Sequence, residues 1–319
     1  MNKHTVAITG VNGFVGSVLK DFLLKQKDID RVIGFDIQDN VSSGDRYQYI
    51  KADVRSQKLY NIFSLLGVTD LFHFAFILDN IPDTELMYDI NVNGTENILK
   101  QAISAGIKTI TVASSISVFG AWQTADTPHN ENDNPHPNEG DLYGLHKTIV
   151  EGICEKYMAQ YPSYNIMIVR FSGVFGPHLN SNLLLSALKL PFAALPYNSK
   201  GAFQVIHEEE VAEICYLAMK KGVSGIYHAA GKDSITMKDL YKLLGKKYIL
   251  LPFRMLKFFA KTASRVKIAV TNTFQIELLK YPVLIDGTTT FKKLGFSPKR
   301  SALKILKEFA RAHGLKLRK

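Results

Sequence analysis

Six short apolar runs, Thr5 to Thr9, Arg31 to Ile37, Tyr47 to Ala52, Asp70 to Phe76, Thr109 to Ala113 and Asn165 to Phe171, alternate with stretches that read as helices. That alternation is the pattern of a parallel sheet with crossover helices, and it predicts an α/β fold. Past Gly176 the rhythm becomes irregular, with prolines at 177, 191 and 196, then a helix near Glu209 to Lys220 and a strand near Gly225 to Ala229. We therefore expect a first domain over residues 1–175, to which a later strand near 203–230 returns. A smaller, interleaved domain is expected over 176–202 and 231–319. The polar, Pro- and Asn-rich stretch 125–141 is expected to be a loop.

A chain of 319 residues can bury a sizeable core, and its 46% hydrophobic and 21% charged residues are ordinary for a soluble globular protein. The strand signal at Thr5 leaves no room for a charged segment and an apolar segment ahead of it, and no 18 uncharged apolar residues run together. The expectation is a cytoplasmic, non-spanning protein. Cys154 and Cys215 lack metal-ligand spacing and read as buried thiols. The net charge of +10 is uneven: residues 246–319 hold 18 of the 39 Lys and Arg but only three acids, Glu277, Asp286 and Glu308.

The run "AITGVNGFVG" places Gly10, Gly13 and Gly16 directly behind the first strand and ahead of a helix whose Phe14, Val18 and Phe22 lie beside Val15, Leu19 and Leu23. In that context small residues let backbone N–H groups approach a pyrophosphate at the positive end of a helix. Asp36, at the end of the second strand and 20 residues after Gly16, can accept from ribose hydroxyls and would repel a 2′-phosphate, which favours NAD over NADP.

Farther on, "YGLHK" puts Tyr143 and Lys147 four residues apart on one face of a helix that runs through Ile149, Ile153 and Tyr157. A phenol is a poor base near its ordinary pKa of about 10, and an adjacent ammonium is expected to lower that value. The serines of "TVASSISVFG" emerge at the C-terminal edge of the fifth strand, where open α/β sheets bind ligands.

Together TGxxGxxG, the acid ending strand two, "NVNGT", "SSxxVFG" and YxxxK, in this order, resemble the extended short-chain dehydrogenase/reductase family, also called the NAD-dependent epimerase/dehydratase family. "VRFSGVFGP", "FQVIHEEEVA" and "GIYHAAGKDSITMKDL" also look like its later landmarks. The resemblance implies a Rossmann-type doubly wound parallel sheet with a smaller, interleaved C-terminal substrate domain, and NAD as cofactor. It implies that Ser115 hydrogen-bonds the substrate oxygen, Tyr143 exchanges its proton, and Lys147 holds the nicotinamide ribose and tunes Tyr143. It further implies that Gly10, Gly13, Phe14, Val15, Gly16, Asp36, Ile37, Asp53, Val54, Phe74, Ala75 and Asn91 lie along the cofactor. A homodimer through the helix that holds Tyr143 and its predecessor is implied as well.

Departures from the family pattern narrow the chemistry. Members that remove water carry an acid one or two positions after the catalytic Ser or Thr, where this chain has Ile116 and Ser117. What remains is oxidation or reduction of a secondary alcohol or ketone, or epimerisation through a transient ketone. Sugar-nucleotide epimerases have an Asn and an Arg where this chain has Gly173 and Phe203, and a Tyr where it has Phe119. Ser117, Gly173 and Phe203 are thus the positions expected to face a substrate less polar than a nucleotide sugar. A C4 epimerase of UDP-hexose type with tightly held NAD is the alternative, and a non-enzymatic NAD sensor is a third reading.

His207 and the three glutamates after it read as a helix start rather than a metal site, and His73 as a sheet histidine satisfied by its neighbours; no metal is expected. "PFRMLKFFAKTASRVKIAV", residues 252–270, has apolar residues at helical spacing with Arg and Lys around them. Such a helix could dock on an anionic membrane or cover a lipophilic substrate, but packing on its own domain is the favoured reading. The expected partner is a small molecule; no nucleic-acid-binding motif accompanies the basic residues.

Overall fold

Seven parallel strands form the central sheet of the computed structural model, which describes residues 3–39, 43–79, 81–123, 128–180, 185, 188–189, 192–265 and 273–318. The strands in chain order are β1 (His4–Thr9), β2 (Ile29–Asp36), β3 (Tyr47–Lys51), β4 (Asp70–His73), β5 (Thr109–Ser115), β6 (Asn165–Phe171), β7 (Gly173–Phe175), β8 (Phe192–Pro196), β9 (Ala202–His207), β10 (Gly225–Ala229), β11 (Ser234–Thr236) and β12 (Lys247–Leu251). The helices are α1 (Phe14–Leu23), α2 (Leu59–Leu65), α3 (Thr84–Tyr88), α4 (Gly94–Ser104), α5 (Leu142–Gln160), α6 (Glu208–Lys221), α7 (Met237–Leu243), α8 (Phe253–Arg265), α9 (Thr273–Leu278), α10 (Thr288–Leu294) and α11 (Ala302–Ala312).

In the central sheet the order is β10-β6-β5-β4-β1-β2-β3. The chain winds outward from β1 in one direction and from β4 in the other, so the crevice between their C-terminal ends is the switch point at which such sheets bind ligands. Successive residues supply opposite faces. Met167 and Val169 pack with α1 and α6 residues such as Leu19, Leu23, Val211 and Ile214, while Ile166 and Ile168 pack with Phe63, Leu99, Val150 and Cys154 of α2, α4 and α5. Both faces being covered accounts for the near-continuous apolar runs. The α/β Rossmann-type architecture expected from those runs is the one observed.

One strand is shorter than its apolar run. β4 ends at His73 rather than Phe76, because the amide of Asn91 takes over the pairing: Ile77 N–H donates to Asn91 Oδ1 at 2.7 Å and Asn91 Nδ2 donates to the Ile77 carbonyl at 3.0 Å. Of the late strands, β10 pairs with β6 at the edge of the central sheet, whereas β9 lies between β7 and β11 in a separate three-stranded sheet. That small sheet and α11 enclose a core of their own, with Phe203, Val205, Ile235, Ile305 and Phe309. β8 and β12 form a third, two-stranded sheet.

Candidate active site

At the switch point the loops after β1 and β4 touch. Gly10 holds φ +70°, and a Cβ there would lie 2.6 Å from the Ala75 nitrogen; a Cβ at Gly16 would overlap the Gly10 carbonyl oxygen. Neither position admits a side chain, so backbone is all that faces the crevice. Helix α1 starts here at Phe14, with no side chain capping its N-terminus and no acid in its first turn. Its leading N–H groups, which have no intrahelical acceptor, therefore suit an anion. Asp36 closes the other side: its carboxylate accepts from Asn12 N–H at 3.1 Å and from Gln38 N–H at 3.2 Å, fixing it at the end of β2 beside the glycine turn. An uncapped helix end, a wall of glycine backbone and a fixed carboxylate fit the pyrophosphate and ribose of NAD.

The chemical groups come from β5 and α5. Ser115 is the last residue of β5, and its hydroxyl accepts from Ser117 N–H at 3.2 Å as a short turn of helix begins. Tyr143 is the second residue of α5, and the Ser115 hydroxyl lies beside its phenol. Lys147, one turn along, is buried with its ammonium donating to the Ala113 carbonyl at 2.7 Å. Phe76 connects the two, its ring edge-to-face with Tyr143 at 5.6 Å and under the Lys147 ammonium at 3.4 Å.

The expected lowering of the Tyr143 phenol by Lys147 is not what this arrangement produces. Burial pushes Tyr143 up to about 12, against which the nearby Ser115 hydroxyl pulls downward. The same burial pushes Lys147 down to about 7, partly opposed by the carboxylate of Glu151. Desolvation outweighs the neighbouring charge because the ammonium sits in the same dry environment and is directed to a backbone carbonyl.

Sequence reasoning missed Glu151 and Arg170. Glu151, one turn beyond Lys147 on α5, accepts from Ser114 Oγ at 2.5 Å and from Arg170 Nε and Nη2 at 2.9 and 2.8 Å. Arg170 lies over the Phe119 ring at 4.7 Å and is itself buried. The available signal was a lone arginine inside the apolar run "IMIVRF", since a buried guanidinium requires a carboxylate.

Other positions divide into two groups. Phe14 and Val15 are half-buried in the first turn of α1, Ile37 is exposed just past β2, and Phe74 and Ala75 line the loop that meets Gly10. Val54 is buried against Gly94. Asp53 is clamped by Arg55, with contacts at 2.6 and 3.0 Å, and the guanidinium holds its carboxyl below the usual range. Asn91 is fully buried on the Ile77 backbone, so it shapes the loop after β4 and does not cap the helix that follows.

Of the residues expected to face the substrate, Ser117 is buried, and its hydroxyl has no hydrogen-bond partner among the described residues. At Gly173 a Cβ would lie 3.1 Å from the Gln204 carbonyl oxygen, a tight contact that reflects the close approach of β9. Phe203 packs among Val205, Ile235 and Leu240 in the core of the small sheet and is 7% exposed, so its apolar side chain serves that core. Phe119 is likewise enclosed, stacked on His129 at 4.2 Å. His207 caps α6, accepting from Glu209 N–H at 3.2 Å, and His73 is held by Thr9 and Thr95 hydroxyls at 2.7 and 2.9 Å.

Comparison with known proteins agrees with this geometry. A sequence model of the NAD dependent epimerase/dehydratase family matches residues 6–230. The chain is 25% identical to the UDP-glucose 4-epimerase of Vibrio cholerae, over 97% of this chain and 95% of the relative. It is also 25% identical to short-chain dehydrogenase/reductase family 42E member 1 of Xenopus laevis, over 98% of this chain and 89% of the relative. The fold matches that of a UDP-glucuronic acid 4-epimerase from Bacillus cereus, solved with UDP-glucuronic acid and NAD, with a TM-score of 0.76, 19% identity, and 97% and 99% of the two chains covered. Because the family match runs from β1 through β10, across the whole central sheet, this chain belongs to the NAD-dependent epimerase/dehydratase family and is an NAD-dependent enzyme of the extended short-chain dehydrogenase/reductase type.

Proposed function

We propose that the enzyme interconverts a secondary alcohol and its ketone, with Ser115, Tyr143 and Lys147 as the catalytic set. Residues 1–175 with β10 hold the cofactor in this reading, and 176–202 with 231–319 form the part that meets the substrate. Gly10, Gly13 and Gly16 with the start of α1 hold the pyrophosphate, and Asp36 accepts from the ribose hydroxyls. Bound NAD supplies the carbon that takes or returns the hydride. The Ser115 hydroxyl donates to the substrate oxygen and keeps it within reach of Tyr143 Oη.

With its phenol held protonated up to about 12, Tyr143 is ready to give a proton to the developing alkoxide when a ketone is reduced. In the oxidising direction it must take the alcohol proton, which requires the phenol to fall from that value, and Lys147, one turn away, is the cation proposed to bring this about when protonated. Lys147, pushed down to about 7, is divided between its two forms near neutral pH. Its charge is therefore sensitive to what binds beside it.

The observation that carries this reading is the placement of the Ser115 hydroxyl beside the Tyr143 phenol at the C-terminal edge of β5, with the Lys147 ammonium one turn away. The crowding at Gly173, which leaves little room for a polar anchor, supports a substrate less polar than a nucleotide sugar. A nucleotide-sugar C4 epimerase is the second reading, supported by the name of the Vibrio cholerae relative. Incubating the purified enzyme with UDP-glucose and no added cofactor, and in parallel with NAD and a panel of secondary alcohols, separates the two. The expected result is reduced nicotinamide from an alcohol and no change at the sugar C4. Formation of the C4 epimer would overturn the first reading in favour of the second.

A further inference from the structure

Helix α5 is tied to the end of β5 by more than the catalytic pair. Tyr143, Lys147 and Glu151 follow one another at i, i+4 and i+8 and so share one face of the helix. They meet three consecutive residues of β5: Tyr143 lies beside Ser115, Lys147 donates to the Ala113 carbonyl at 2.7 Å, and Glu151 accepts from Ser114 Oγ at 2.5 Å. Arg170, the register partner of Ser114 across β5 and β6, completes the join by donating to both Glu151 oxygens. Its further contacts, to the Glu131 carbonyl at 3.2 Å and the Phe119 ring at 4.7 Å, hold the guanidinium in place. Lys147, Glu151 and Arg170 are 3%, 2% and 1% exposed. A buried ion pair adds little stability over apolar residues of similar volume, so its place one turn from Lys147 needs another reason.

The charges around Lys147 supply one. On its own helix, burial holds Tyr143 and the Cys154 thiol protonated and pushes His146 down, so none of the three offers a negative charge. From β4, His73 is held neutral. The loop after β4 contributes the Phe76 ring, and β5 the Ala113 carbonyl. Among the described residues Glu151 is the carboxylate that opposes the desolvation of the ammonium. Glu151 can act on Lys147 while it neutralises Arg170, because the guanidinium charge is delocalised over three nitrogens and shared with the Phe119 ring. Resting on the reading of Ser115, Tyr143 and Lys147 as the catalytic set, we propose that Glu151 is a positioning residue of that set. Fixed by Ser114 and Arg170, it keeps Lys147 charged and seated on the end of β5, and so sets the pH range over which Tyr143 can accept a proton.

Two variants test this. Glu151→Gln alone would leave the Arg170 charge buried and unpaired, so it is combined with Arg170→Met, which replaces the ion pair by neutral groups. Arg170→Met alone frees the carboxylate from its cation. The titration of Lys147 is followed directly, by nuclear magnetic resonance of protein carrying lysine labelled with carbon-13 at Cε, the resonance being identified by its loss in Lys147→Met. The parent midpoint is expected near 7, that of the double variant about one unit lower, and that of Arg170→Met higher than the parent's. Loosened packing would move both variants the same way, whereas a charge acting on Lys147 moves them in opposite directions. A one-unit fall lowers the charged fraction at pH 7 from about a half to about a tenth, so the NAD-saturated double variant is expected to oxidise a secondary alcohol about fivefold more slowly at that pH. A double variant with the parent's Lys147 midpoint, or two variants that shift in the same direction, would overturn the proposal. Midpoints that move as expected in an enzyme that oxidises no alcohol would uphold the action of Glu151 on Lys147 and overturn instead the reading of the catalytic set.

Discussion

His73 closes β4 with both ring nitrogens engaged by Thr9 and Thr95, and burial holds it neutral, its pKa pushed down to about 3 with the Lys147 charge adding to the effect. His228, beside Arg170 and over the Phe119 ring edge, is pushed down to about 4 for the same reason. In the unfolded chain both titrate near 6.5. Below that pH the unfolded chain takes up protons the folded one refuses, so folding stability is intact above about 6.5 and falls as pH drops toward 4, by up to about 1.4 kcal/mol per unit for each histidine. Melting temperature followed from pH 7 to pH 4 by circular dichroism is expected to decline. His73→Asn, which can keep one hydroxyl partner, is expected to flatten that slope; an unchanged slope would mean that His73 is not held neutral. Tyr143 and Lys147 were legible as a pair from their spacing. The direction of their pKa shifts was not, because it depends on burial produced by Phe76, a residue 67 positions earlier in the chain than Tyr143.

At the scale of elements, the strand-turn-helix unit from β1 to α1 was legible almost to the residue. Its signal is local: an apolar run, three glycines and an i, i+4 apolar double row. The close approach that makes the glycines necessary joins this unit to the loop after β4. Gly16→Ala forces its Cβ onto the Gly10 carbonyl and displaces the backbone proposed to face the pyrophosphate. It is expected to weaken NAD binding by about tenfold or more and to cost about 1–3 kcal/mol of stability. Isothermal titration with NAD checks the first expectation and urea unfolding the second. An affinity within about twofold of the parent would show that NAD does not rest on this turn. The latch made by Asn91 was not legible: an amide in "NVNGT" could equally have capped the helix, and its choice of the Ile77 backbone depends on where β4 stops.

For the molecule as a whole, the central sheet was readable because its inner strands are buried on both faces and, β2 and β3 excepted, successive strands are separated by helices. The small sheets were not. β7 and β11 are three residues each, and β7 pairs in parallel with β9 across a long excursion of the chain, which leaves no periodic trace. For that reason Phe203 was expected to face a substrate, although it packs in the core of the small sheet. Within the basic C-terminal quarter, α11 buries Ile305, Leu306 and Phe309 against that sheet, while Met255 and Phe259 of α8 are exposed. Just after Ser115, Ile116, Val118 and Phe119 pack with Val283 and Ile285 from the C-terminal part of the chain. The account rests on whether Tyr143 exchanges the substrate proton beside Ser115. The most direct measurement is the rate of reduced nicotinamide formation by the parent and by Tyr143→Phe, each saturated with NAD and offered the same secondary alcohols, with NAD affinity measured alongside. The expected result is a loss of about a hundredfold or more in rate at unchanged NAD affinity; a variant that keeps its rate within a few-fold would contradict it.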